Sequence, residues 1–109
     1  MNDQDILKVL QDAKPLLKQG WTQGAYARNT DNKPMDYADP RAVKFCFAGA
    51  LYKAGGGYGI IEIIQDMISP RPDVMFEWND DKKRTQKEVL TVLDQAIATF
   101  KKKTKKASR

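Results

Sequence analysis

The chain contains no histidine and a single cysteine, Cys46. One cysteine excludes an intrachain disulfide, and one cysteine without histidine cannot supply the four nitrogen or sulfur ligands of an ordinary zinc site. A thiol nucleophile would also lack the histidine base that normally makes it reactive. No apolar run approaches the ~20 residues that a membrane-crossing helix requires. Met1–Leu10 lacks the basic-then-apolar order of a secretory signal, so the expected location is the cytoplasm. Asp80 and Asp81 are neighbouring carboxylates, but adjacent side chains point apart and no calcium-loop spacing surrounds them. Neither a metal nor a cofactor is therefore expected.

What is present is ordinary in amount and uneven in placement. The chain has 109 residues, 41% apolar and 30% charged, enough for one globular domain. Its net charge is +5. Lys101, Lys102, Lys103, Lys105, Lys106 and Arg109 place six of the nineteen basic residues in the last nine positions. The other thirteen face all fourteen acidic residues, so residues 1–100 carry −1. This divides the chain into a near-neutral domain over 1–100 and a basic tail over 101–109. With no large apolar residue after Phe100, the tail is expected to be disordered or a fraying continuation of the last helix. Its charge suits a protein partner or an anionic polymer, including weak and unspecific contact with nucleic acid. It has no interleaved aromatic residues for base stacking.

Hydrophobic spacing predicts a helix over Asp3–Lys18 that Pro15 should kink or end early. Trp21–Arg28 reads as a strand, the turn formers of 29–34 follow, and Met35–Tyr37 can pair back as a hairpin arm. Asp39-Pro40 reads as a helix start. Val43, Cys46, Phe47, Ala50, Leu51 and Ala54 then form one stripe, with Cys46 a buried, inert member. Gly55–Gly59 precedes a helix as phosphate loops do, but it follows a helix and lacks the Gly-Lys-Ser/Thr signature, so a connector is the better reading. Ile60–Ile68 reads as a helix, Val74–Trp78 as a strand and Asn79–Arg84 as a polar loop. Thr85-Gln86-Lys87-Glu88 fits a capping box for a last helix reaching Phe100. The expected fold is α+β: four helices around one core with a small antiparallel sheet or hairpin.

Two groups of residues stand out as candidate binding residues: Trp21, Gln23 and Arg28 (with Tyr26), and Trp78, Asn79, Asp80 and Arg84. If their segments are neighbours, they form an aromatic–arginine–amide surface of the kind that dominates binding energetics. The competing reading buries the tryptophans and pairs Arg28 with Asp80 or Asp36, as a domain this small must place its aromatic residues somewhere. Three function classes follow. A non-catalytic binding or interaction module with an electrostatic tail leads. A small histidine-independent enzyme or ligand-binding domain using Arg28, Asn79 and Asp80 is second, and a nucleic-acid-binding accessory protein third.

Three blocks, Trp21-Thr-Gln-Gly24-Ala-Tyr-Ala27-Arg28, Ala42-Val-Lys-Phe-Cys46-Phe-Ala-Gly49-Ala50-Leu51 and Trp78-Asn79-Asp80 with Arg84-Thr85 and Glu88-Val89, carry a family likeness. Over residues 6–98 the chain resembles a family of small uncharacterised bacterial and phage proteins, known as a domain of unknown function. That family typically has tryptophan before the cysteine, where this chain has Phe45. The resemblance singles out Trp21, Gly24, Arg28, Cys46, Gly49, Asn79 and Asp80 and implies no activity for them.

Overall fold

The first helix, α1 (Asp3–Gln19), buries Ile6, Val9, Leu10, Ala13 and Leu17. Asn2 caps it by accepting a hydrogen bond from the Asp5 amide at 2.9 Å. This computed structural model describes residues 1–107, with side chains through Lys105. Pro15 does not end α1 early: Ala13 and Leu17, either side of it, are both fully buried, and their packing outweighs one lost backbone bond.

The predicted strand Trp21–Arg28 is much shorter in the structure. Only Ala27–Arg28 (β1) is extended in a ladder, because Gly24 adopts φ +78° and bends the chain before it. Trp21 makes an isolated parallel bridge to Phe45. The hairpin is present with its second arm earlier than Met35–Tyr37: β2 (Pro34–Met35) pairs antiparallel with β1, and Asn29 Oδ1 orders the turn by accepting from the amides of Asp31 and Lys33.

The helix expected from Asp39 begins eight residues later. Asp39 Oδ1 accepts from the Arg41 amide and makes one turn. The chain then extends as β3 (Lys44–Phe45), antiparallel to β1, giving the order β2-β1-β3. The amides of Val43 and Cys46 donate across to Arg28 O and Tyr26 O, which takes them out of any helix. Helix α2 (Phe47–Lys53) follows, with every residue from Phe47 to Leu51 buried. Cys46 is its N-cap and not a member of a longer stripe.

Gly55–Gly57 connects α2 to α3 (Tyr58–Asp66), which buries Ile60, Ile61, Ile64 and Gln65. The predicted strand Val74–Trp78 is instead α4 (Met75–Asp80). The alternation of Val74, Phe76 and Trp78 imitates a strand, but the pair that goes inside is Met75 and Asn79, four apart on one helical face. A fifth helix, α5 (Gln86–Ala107), packs along α1 through Val89, Leu93, Ala96, Ile97 and Phe100. Among the described residues, four helices of seven or more residues, one short helix and a three-stranded antiparallel sheet thus share one core.

The capping box forms as expected. The Glu88 amide donates to Thr85 Oγ1 at 3.2 Å and the Thr85 amide donates to Glu88 Oε1 at 3.1 Å. Thr85→Ala should cost about 1 kcal/mol in urea unfolding; a loss of only a few tenths would mean that Glu88 holds the turn alone. Helix α5 continues past Phe100 through residues 101–107. The side chain of Lys106 and all of Arg109 lie outside the described residues.

Candidate functional site

The two groups that the sequence sets apart do meet, and Asn79 is where they join. Its Oδ1 accepts from Trp21 Nε1 at 2.8 Å and from the buried Phe47 amide at 3.0 Å. Its Nδ2 donates to Thr22 O at 3.1 Å and to Asp80 Oδ1 at 3.0 Å. All four hydrogen-bonding positions of the carboxamide are filled, and the amide orientation follows from its partners. Gln23 Nε2 adds donation to Asn79 O and Asp81 O, and Asp80 Oδ1 accepts from the Gly24 amide. One buried side chain thus ties the 21–24 loop, the start of α2 and the end of α4 together.

Arg28 pairs with neither Asp80 nor Asp36. Its Nε donates to Thr22 Oγ1 at 2.8 Å, and its terminal nitrogens donate to Gln23 O and Asn32 O at 3.0 Å. Neutral acceptors from Thr22 to Asn32 make it a clamp between the loop and the hairpin. Arg84 lies 3.9 Å over the Trp78 ring, donates to Trp78 O and pairs with Glu88 at 2.9 Å, joining α4 to α5. Beside it, Trp78, Arg84, Lys87, Thr91 and Val92 line a cleft of about 400 Å³ toward the end of α3.

Cys46 is fully buried, and its Sγ accepts from the Gly49 amide at 3.2 Å. Burial pushes the thiol up to about 11. The folded state therefore holds this proton where the unfolded chain, near 9, would release it. The thiol contribution is intact below pH 9, and stability should fall as the pH rises from 9 to 11. Native thiol labelling at pH 8 should be slow, and Cys46→Ser, which keeps an N-cap acceptor, should remove the alkaline loss. Rapid labelling would show that the site opens.

Sequence reasoning singled out Tyr26 but missed the cluster of tyrosines it joins. The chain has four, and all four gather on one face with Phe76. Tyr26 meets Phe76 edge-on at 4.7 Å and 81°, Tyr52 at 6.2 Å and Tyr37 at 6.0 Å. Tyr37 stacks on Tyr52 at 5.4 Å. Tyr58 completes a pocket of about 200 Å³ with Tyr26, Tyr52 and Phe76. Tyr58 is 65% exposed and Tyr26 40%. No tyrosine hydroxyl is hydrogen-bonded within the described residues, and none is buried without a partner. Tyr52 is held above the ordinary phenol value, first by burial and then by the neighbouring Tyr26, Tyr37 and Tyr58. These residues come from the bend before β1, the turn after β2, α2, α3 and α4, and they share no periodicity. The only available signal was that every tyrosine lies in the first 58 residues.

Among the described residues no three acidic or cysteine side chains converge to hold a metal ion, and no helix is long and apolar enough to cross a membrane. Neither a curated protein nor a solved structure matches the chain. A family model does match, over residues 1–99, which takes in all of the Asn79 network and the tyrosine face. The chain belongs to that family, a family of unknown function designated DUF6197.

Proposed function

We propose that the domain is a non-catalytic interaction module whose contact surface is the tyrosine face. The observation that carries this reading is the convergence of Tyr26, Tyr37, Tyr52, Tyr58 and Phe76, with hydroxyls open to solvent and rings already packed against one another. Prepacked tyrosines lose little side-chain entropy on binding and offer both apolar area and a hydrogen-bonding tip, which is why they recur at recognition surfaces. The Asn79 network supports the face from behind. It fixes the 21–24 loop, which leads into Tyr26, against the start of α2 and the end of α4. In this reading Trp21, Gln23, Arg28, Asn79 and Asp80 position the surface and do not touch the partner.

Selection of random peptides displayed on phage tests the reading. The native domain should enrich a family of peptides that no longer binds when Tyr26 and Tyr58 are both changed to serine, while melting is little altered. Failure to enrich any family, or enrichment indifferent to the two tyrosines, would contradict it.

The helical continuation of α5 supports a second contact of a different kind. It carries Lys101, Lys102, Lys103 and Lys105 beyond the packed core as an ordered basic rod. With the six charges of residues 101–109, binding to duplex DNA should be weak and indifferent to sequence. The log–log salt slope should be about −5. A chain ending at residue 100 should lose that binding; undiminished binding would place the contact on the body.

A further inference from the structure

The pocket within the tyrosine face is lined by four aromatic residues, a carboxylate residue and an amide residue, with Ala48, Ile61, Val74 and Met75 between them. Tyr26, Tyr52, Tyr58 and Phe76 supply the rings, and Asp73 supplies the one charged lining side chain. Gln65 borders it too and is only 3% exposed. Its Nε2 donates to Pro72 O and Asp73 O, which fixes the nitrogen toward the loop and leaves the oxygen on the other side. That oxygen takes no hydrogen bond within the described residues, yet no polar side-chain atom is buried without a partner. It therefore keeps some access to solvent. No cation lines the pocket. Arg71 lies nearby amid Glu62, Asp66 and Asp73, but it is paired with Asp66 at 2.7 Å, so acids outnumber bases on that shoulder.

We infer that this pocket receives the cationic side chain, lysine or arginine, of a protein partner. The inference deepens the interaction-module reading and rests on it. Ring faces and edges set at steep angles form a corner in which a cation meets π-density. The Asp73 carboxylate and the Gln65 oxygen accept the N–H groups that an ammonium or guanidinium brings. A peptide fits better than a free amine because the surface continues outward. Tyr37 stacks against Tyr52 beyond the pocket, and Val74 lies 44% exposed at its rim. A small amine would leave that area uncovered.

Nitrogen-15 NMR titration of the full chain with N-acetyl-lysine methylamide, N-acetyl-arginine methylamide, N-acetyl-norleucine methylamide and tetramethylammonium tests this. At least one of the two cationic amino acids should give saturating shifts at the Gln65 side-chain amide and at the Tyr58 and Asp73 backbone amides. Norleucine should bind at least tenfold more weakly, and Asp73→Asn should weaken the cation fivefold or more with unchanged melting. Absence of saturation by either cation, or equal binding of norleucine, overturns the inference. Tighter binding of tetramethylammonium than of both amino acids would overturn the protein source. If phage selection yields tyrosine-dependent peptides that lack basic residues, the cation inference falls while the interaction module stands.

Discussion

Gly49→Ala should lower the melting temperature by more than about 10 °C, an effect of roughly 3 kcal/mol in a domain of this size. A Cβ at Gly49 would overlap Tyr26 O and lie 3.0 Å from Tyr26 C. Both are backbone atoms, and neither can move alone, since Tyr26 O also accepts the Cys46 amide at 3.1 Å. The first turn of α2 rests directly on the strand that leads out of Tyr26. Adding one methyl must separate the two and shift the tyrosine face with them. Gly59→Ala is the natural control. It sits in α3 with nothing within 4 Å of the added atom, and alanine there should be neutral or stabilise by up to about 1 kcal/mol. Urea unfolding of the two variants side by side checks this. A loss below about 1 kcal/mol for Gly49→Ala would mean that α2 does not lie on Tyr26 as described.

Asn79→Ala should be comparably severe, costing about 3 kcal/mol. The substitution leaves the buried Phe47 amide and the Trp21 indole N–H without their acceptor, and Thr22 O without its donor. An unmade hydrogen bond in the interior costs more than a formed one contributes, so the loss exceeds that of a typical surface amide. Asn79→Asp is the informative companion. It keeps both acceptor contacts but removes the donor to Thr22 O and sets a second carboxylate against Asp80. It should therefore be destabilised at neutral pH and partly recover as the pH is lowered and the new carboxyl takes a proton. Chemical denaturation at pH 7 and pH 4 reads this directly. Equal loss by Asn79→Asp at both values would mean that geometry, not charge, is what Asn79 provides.

The sequence was most readable where burial follows a period. The stripes of α1, α3 and α5 and the reciprocal Thr85–Glu88 cap are local patterns, and each appears where spacing places it. It was least readable where a long-range partner overrides local preference. Asp39-Pro40 has the chemistry of a helix start, but the amides of Val43 and Cys46 are claimed by β1, which no local signal announces. Val74–Trp78 has strand alternation, but Asn79 is needed inside to join three segments, and a helix buries Met75 and Asn79 together while turning Glu77 out, where a strand would carry all three on one face. The set from Trp21 to Arg84 was legible as special, since large and polar residues rarely cluster without reason. Its members turn out to be bonded mainly to one another and to backbone, as a network around a buried amide is. The tyrosine face was illegible because five separate segments contribute to it, and its members are adjacent only once the Asn79 network and Gly49 have set those segments in place.

The most direct test of the central claim, that the tyrosine face binds and the Asn79 network only supports it, is calorimetric titration of one phage-selected peptide into three proteins. These are the native domain, Tyr58→Ala and Lys87→Ala. Tyr58 is mostly exposed and Lys87 lines the separate Trp78–Arg84 cleft, so neither change should disturb the core. Tyr58→Ala should weaken the peptide at least tenfold, about 1.4 kcal/mol, with melting unchanged, while Lys87→Ala binds as the native domain does. Native affinity in Tyr58→Ala with a comparable loss in Lys87→Ala would contradict the account and move the contact surface to the cleft between α3, α4 and α5.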